Sequence, residues 1–297
     1  MTRVLVTGGS GFIGSFIVEA LQKHGTTVRV PKHAGEGFLA GNKKVEWMEG
    51  DLSNVASCMA LVRDVDEVMH LASFRRNVAY HREHADEVVT KNIAMTDALV
   101  AAVSMHPVPV TAVSTAKLFG IPDPASAPDG YIRSKFLSEE RWKAASASRG
   151  FPLMLARPVS VYGPRDRFGD DANVIPSLLQ RALAAKDELV VWGSGLQRLS
   201  FVYVENLAYA LLELRRVGAT GVQPVDPGDA VTVAALAEHI TTLVNPALRL
   251  RFDASKPTSD LHESPAGHPC LRGLAWTSLE EGLRLTLDWY RTQKPLG

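Results

Sequence analysis

The chain has 297 residues, 46% hydrophobic and 22% charged, with 32 basic residues balancing 32 acidic ones. That balance argues against a nucleic-acid or polyanion surface, and no apolar run approaches the ~20 residues that span a bilayer. Two distant cysteines, Cys58 and Cys270, argue against a disulfide scaffold or a cysteine zinc site. The N-terminus runs into an apolar strand without a basic-then-apolar leader, so a cytoplasmic enzyme or binding protein is expected.

Apolar, β-branched runs at 3–7, 27–30, 45–48, 67–71, 108–113 and 153–157 predict strands. Residues 14–24, 55–62 and 86–103 carry helical apolar spacing, and another helix follows Tyr131. Strands alternating with helices predict right-handed βαβ units and a doubly wound parallel sheet, an α/β Rossmann-type fold. After Pro158 the alternation loosens and Pro and Gly become frequent. Helices are predicted at 173–185, 231–243 and 279–292, and short strands at 188–192 and 200–204. The expected division is a dinucleotide-binding domain over 1–158 and a smaller, partly interleaved α/β substrate lobe over 159–297. The polar loop 256–267 is expected to be mobile.

TGGSGFIG at 7–14 lies between the first strand and the first helix. Gly8 permits a tight turn, Gly11 a close backbone approach to pyrophosphate, and Gly14 close packing of helix on strand. The helix N-terminus offers free N–H groups to phosphates. After the second strand, Arg29-Val30-Pro31-Lys32-His33 has no carboxylate for a ribose 2′-hydroxyl. Lys32, with Arg29 or His33, is placed to face a 2′-phosphate, so NADP is the expected cofactor and NAD the alternative. Asp51 is placed to accept from the adenine amino group.

Tyr131 and Lys135 stand at i and i+4 on one helical face. A free phenol, pKa near ~10, exchanges protons poorly at neutral pH, and an adjacent ammonium favours its phenolate. Ser114-Thr115 follows the fifth strand, where a hydroxyl can fix a substrate carbonyl oxygen.

These motifs, with GDL at 50–52, HLAS at 70–73, RPVSVYGPRD at 157–166 and VWGSGLQRLSFVYVENLA at 191–208, resemble the extended short-chain dehydrogenase/reductases of the nucleotide-sugar epimerase/dehydratase group. The resemblance covers nearly the whole chain. It implies a bound NAD(P), a nucleotide-sugar or other keto substrate, a homodimer formed through the helix near 92–103, and Thr115, Tyr131 and Lys135 as the catalytic set. It places cofactor contacts at Gly8, Gly11, Phe12, Ile13, Gly14, Lys32, Asp51, Leu52, Leu71, Ala72, Ser73, Asn92, Tyr131, Lys135 and Pro158. Substrate contacts are expected at Ser114, Lys117, Arg165, Asn173, Val174, Trp192 and Arg198, with Arg167 and Lys256 as further candidates for a diphosphate.

Within that group YGPRDRFGDDANVIPSLL at 162–179 is most similar to the GDP-fucose synthase family. That family carries a cysteine where this chain has Lys117 and a histidine where it has Asn173. Asparagine is no acid or base near neutrality, and Lys117 would need a strongly lowered pKa. The expected activity is a ketoreductase on a 4-keto-6-deoxy sugar without 3,5-epimerisation. The alternatives are a C4 epimerase or dehydrogenase and a non-catalytic dinucleotide sensor. Ala116-Lys117 after Thr115 replaces the acid–base pair of the dehydratases. Trp192 is assigned either to the nucleotide pocket or to the core. Arg198, one place before the usual diphosphate arginine, is expected to face the opposite side of its strand. Arg75-Arg76 after the fourth strand reads as solvated loop charge, with approach to a substrate phosphate or sugar as the alternative, and His81 with His84 as a polar helix face rather than a metal site. No metal is expected.

Overall fold

The computed structural model describes residues 2–32, 35–169, 172–255 and 264–293. In chain order it forms β1 (Arg3–Thr7), α1 (Phe12–Lys23), β2 (Thr27–Lys32), β3 (Val45–Glu49), α2 (Val55–Val62), β4 (Glu67–His70), α3 (Val78–Glu83), α4 (Ala85–Met105), β5 (Val110–Val113), α5 (Gly130–Arg149), β6 (Leu153–Pro158) and β7 (Ser160–Tyr162). It continues with α6 (Val174–Ala184), β8 (Glu188–Trp192), β9 (Arg198–Leu199), β10 (Phe201–Tyr203), α7 (Val204–Arg216), β11 (Gly221–Val225), β12 (Val231–Thr232), α8 (Val233–Val244), β13 (Arg249–Asp253) and α9 (Leu279–Gln293).

Seven strands form the central parallel sheet in the order β11-β6-β5-β4-β1-β2-β3. Its apolar strands are buried on both faces, as a parallel sheet covered by helices requires. On β1, Val4 and Val6 join Phe16, Ile17 and Leu21 of α1 and Leu211 of α7 in one core. Leu5 faces the other way, into a core shared with Leu61 of α2, Leu99 of α4 and Trp142 of α5. The strand order reverses between β1 and β4, and such a switch point opens a crevice at the carboxyl ends of the strands. α4 is long and apolar enough to cross a membrane by length and composition alone. Its Val88, Leu99, Ala102 and Val103 are instead buried within the fold.

After β6 the chain builds three two-stranded sheets: β7 with β10, β9 with β12, and β8 with β13. A third apolar core, with Leu178 and Leu179 of α6, Leu236 and Ile240 of α8, and Leu283 and Leu287 of α9, fills this region. The chain also returns twice to the central sheet, as α7 against α1 and as edge strand β11 beside β6. The strand predicted at 200–204 is shorter than expected: β10 ends at Tyr203, and Val204 opens α7, a helix outside the predicted set.

Candidate active site

The glycine turn meets the requirements of a phosphate cradle. Gly8 has φ +70°, and a Cβ there would lie 2.8 Å from the Ala72 amide nitrogen. A Cβ on Gly14 would lie 2.1 Å from the Gly8 carbonyl oxygen, so helix and turn approach as closely as they do only because neither carries a side chain. Gly11 occupies the N-cap of α1 with no side-chain cap bond. The first N–H groups of α1 therefore lack intrahelical acceptors and suit an anion. These residues fit a dinucleotide pyrophosphate. Asp51 is exposed at the end of the next crossover, its Oδ1 accepting from Ser53 N at 2.8 Å.

The floor beneath this turn is fixed by Thr7. Its Oγ1 accepts from the amides of Leu71 (3.2 Å) and Ala72 (3.3 Å) and lies 2.8 Å from His70 Nδ1. With two donors already on that oxygen, its own proton points to His70. Burial, reinforced by the Lys135 charge, pushes the His70 imidazole down to about 3, so it is neutral at physiological pH.

Helix α5 presents the tyrosine and lysine. Asp129 caps it, Oδ1 accepting from Tyr131 N (2.8 Å) and Ile132 N (3.3 Å). Lys135 Nζ donates to the Val113 carbonyl at 2.8 Å and sits 5.6 Å from the Tyr131 ring centroid. Thr115, two residues beyond Val113, is buried and its Oγ1 accepts from Lys117 N at 3.3 Å. One turn behind Lys135, buried Glu139 accepts from Ser114 Oγ (2.5 Å) and from Arg157 Nε (2.8 Å) and Nη2 (2.7 Å). A cavity of about 20 Å³ between these groups is bounded by His70, Asn92, Ser114, Ser134, Lys135 and Glu139. It is large enough for one water molecule.

In front of Tyr131 the groups are less fully paired. Lys117 lies close enough to Tyr131 and Asp129 to feel both, yet loss of solvent outweighs them and lowers its ammonium pKa. Arg75 extends over the Tyr131 ring, 5.9 Å from its centroid, and bonds Asn173 Oδ1 at the N-cap of α6. Arg167 Nη1 donates to the Arg75 carbonyl at 3.1 Å. Beside them Asp166 is buried, and burial pushes its carboxyl up to about 7 against the pull of the Arg167 amide, Arg75 and Asn173. Its Oδ2 is buried without a hydrogen-bond partner among the described residues. Asp129 and Asp166 are site residues that the sequence reading does not single out, and Arg75 and His81 are ones it reads first as surface charge and a polar helix face. Of these only Asp129 carried a local signal, an acidic N-cap just ahead of the tyrosine helix.

Several expected roles are corrected. Ser114 does not face substrate: alternation along the extended chain turns it toward Glu139, inside the fold. Asn92 accepts from Ser73 Oγ and Phe74 N and donates to Phe74 O and Val88 O, so it fastens the loop after β4 instead of contacting cofactor. Arg29 is buried against Glu46 and the carbonyls of Leu61 and Arg63, out of reach of a 2′-phosphate. Lys32 keeps that option, with Nζ 3.6 Å from Glu36 Oε1. Arg165 turns away from the cleft to Glu19 (2.9 Å) and over the Phe16 ring. Trp192 is exposed, not core, with Arg181 5.5 Å from its ring centroid. Arg198 is exposed and donates to the Ala230 carbonyl at 2.7 Å. Val174 opens α6 next to Asn173. His33, Lys256 and the 256–263 part of the polar loop lie outside the described residues.

The sequence model of the NAD dependent epimerase/dehydratase family matches residues 4–226. The chain is 28% identical to a Streptomyces sp dTDP-4-dehydro-6-deoxy-D-allose reductase over 98% of its own length and 97% of that protein's. It is 28% identical to GDP-L-fucose synthase 1 of Arabidopsis thaliana, over 97% and 93% of the two chains. Its structure resembles the UDP-N-acetylglucosamine 4-epimerase from Methanobrevibacter ruminantium M1, solved in complex with UDP-N-acetylmuramic acid (TM-score 0.84, 25% identity, 98% and 99% covered).

Proposed function

The chain belongs to the NAD dependent epimerase/dehydratase family, and on that premise we propose that it is a ketoreductase acting on a nucleotide-activated 4-keto-6-deoxy sugar. The observation that carries this reading is Lys135, anchored on Val113 O beside the Tyr131 ring, at the strand edge that also bears the glycine turn. The name of the Streptomyces relative supports the substrate class. NAD(P)H, when bound, supplies the hydride. Tyr131 donates a proton to the carbonyl oxygen, Thr115 orients that oxygen, and the Lys135 ammonium stabilises the negative charge left on the phenol. Lys135 would also hold the nicotinamide ribose when the dinucleotide is bound.

Epimerisation at two carbons needs proton-transfer groups on both sides of the sugar. The Asn173 amide cannot supply one near neutrality, and Arg75 already holds its oxygen. The product therefore keeps the configuration at the carbons flanking the ketone, and those positions take up no deuterium from D2O. For the cofactor, Lys32 is, among the described residues of that turn, the basic group placed to receive a 2′-phosphate; Lys32→Ala is expected to weaken NADPH binding and leave NADH binding unchanged. The homodimer reading rests on the family resemblance, through the 92–103 part of α4, and is tested by sedimentation. The activity test is consumption of NADPH and NADH with GDP-, dTDP- and UDP-linked 4-keto-6-deoxy sugars. Turnover with at least one is expected, and none with any of them, while dinucleotide still binds, would leave only a binding role.

A further inference from the structure

We propose that His81 is a positioning residue for Tyr131, holding the phenol ring through an offset, near-parallel stack. The proposal rests on the reading of Tyr131 as proton donor. The two rings are stacked with centroids 5.3 Å apart and planes 14° apart. His81 is the buried residue of the six-residue helix α3, whose N-terminus is capped by Asn77. A short helix that turns a histidine inward, where an aliphatic residue would pack more cheaply, places a polar ring at a cost unless both nitrogens are engaged. Both are. Nε2 accepts from the Arg76 amide at 2.9 Å, which fixes it as the unprotonated nitrogen and puts the ring proton on Nδ1. Nδ1 in turn lies 3.6 Å from Asp129 Oδ1, the same oxygen that caps α5 through Tyr131 N.

One carboxylate oxygen thus registers both the start of the catalytic helix and the ring stacked on its tyrosine. The neighbouring His84 belongs to a different contact, its ring 4.3 Å from that of Tyr80. No group of three candidate metal ligands occurs among the described residues. A phenol free to swing is a poorer donor than one held in a single pose, and misplacement of about 1 Å can lower a rate by ~100-fold.

Two variants separate the stack from its anchors. His81→Gln keeps an acceptor for Arg76 N–H but has no ring; His81→Phe keeps a ring but has no acceptor. We expect His81→Gln to lower kcat at least ~10-fold with the dinucleotide Kd unchanged, and His81→Phe to keep kcat within about threefold of the parent. A parental kcat in His81→Gln, or equal losses in both variants, overturns the proposal. A second readout needs neither substrate nor full activity. In ring-labelled tyrosine NMR spectra of the dinucleotide-bound protein, the Tyr131 signals are identified by their loss in Tyr131→Phe. They should move downfield in His81→Gln, where the shielding ring is gone, and stay shielded in His81→Phe. Unmoved Tyr131 signals in His81→Gln contradict the stack. If no keto sugar is turned over by the parent, the ketoreductase reading fails while this spectrum still decides the role of His81.

Discussion

The two sides of the Tyr131–Lys135 pair are built differently. Behind it, Glu139 is met by Ser114 and a bidentate Arg157, Lys135 by the Val113 carbonyl, and His70 by Thr7. In front, Lys117 has no carboxylate within ion-pair distance among the described residues, and Asp166 Oδ2 is buried without a partner. Buried polar groups are normally satisfied; Trp142 Nε1, beside the rear cavity, is also without a partner among the described residues, so the contrast lies in the charged groups. The rear wall fixes the pose of α5. The front wall holds unmet charge and hydrogen-bonding capacity in the direction a substrate would come from.

That contrast can be broken from the rear first, where the largest effect is expected. Glu139→Gln leaves Arg157 largely buried beside a neutral amide, and should cost about 3–5 kcal/mol in denaturant unfolding. A loss below about 1 kcal/mol would mean the rear wall is not a scaffold. The front wall should answer in the opposite sense. Asp166 keeps its proton in the fold at pH values where the unfolded chain has lost it, its pKa rising from 3.8 to about 7. Its contribution to stability therefore falls as pH rises through that window, by up to ~1.4 kcal/mol per unit. Asp166→Asn should gain on the parent by that slope and be the more stable of the two above pH 7, which thermal melts of both proteins across pH would show. A parent–variant difference that does not change with pH would rule Asp166 out as its source.

His70 sharpens the comparison from the other direction. Its imidazole is neutral in the fold and falls from 6.5 to about 3, so the unfolded chain binds the extra proton first on acidification. Its contribution to stability is retained above pH 6.5 and lost progressively toward pH 3. The His70 and Asp166 slopes have opposite sign and offset each other between about pH 3.8 and 6.5, so greatest stability is expected across that range, and His70→Gln should lose against the parent as pH rises through it. The smallest effects are expected outside both walls. Trp192→Ala and Arg198→Ala should each change stability by less than about 0.5 kcal/mol, and a loss of nucleotide-sugar affinity in either would place it back in the site.

The sequence was most informative where a local pattern and the fold coincide. The glycine turn, the strand before it and the i, i+4 tyrosine–lysine pair each carry their structural meaning within eight residues. Helix α2 forms over the predicted 55–62 because Asn54 caps it, its side chain accepting from Ser57 N. Strand β11 was hidden by Gly221 and Pro224, which suppress the strand pattern and are tolerated because β11 is an edge. Helix α7 goes unpredicted although Leu207, Leu211 and Leu214 have helical spacing, Glu205 stands in its first turn and Arg215 and Arg216 in its last. The front wall was legible only in part: Lys117 and Asn173 are read from the sequence as substrate contacts, and the grouping of the others around them is not. His81, Arg75 and Asp166 come from three separate segments, and only tertiary packing decides which charges lose their solvent. The same reason misdirected Arg29 and Ser114: both have the right chemistry, and both point into the fold.

The central claim is that Tyr131 delivers the proton while the dinucleotide cradle stands independently of it. Steady-state reduction of a nucleotide-linked 4-keto-6-deoxy sugar by Tyr131→Phe, measured alongside dinucleotide titration, tests it most directly. The account predicts a fall in kcat of ~100-fold or more with the dinucleotide Kd nearly unchanged. A variant that reduces the sugar at the parental rate would contradict it.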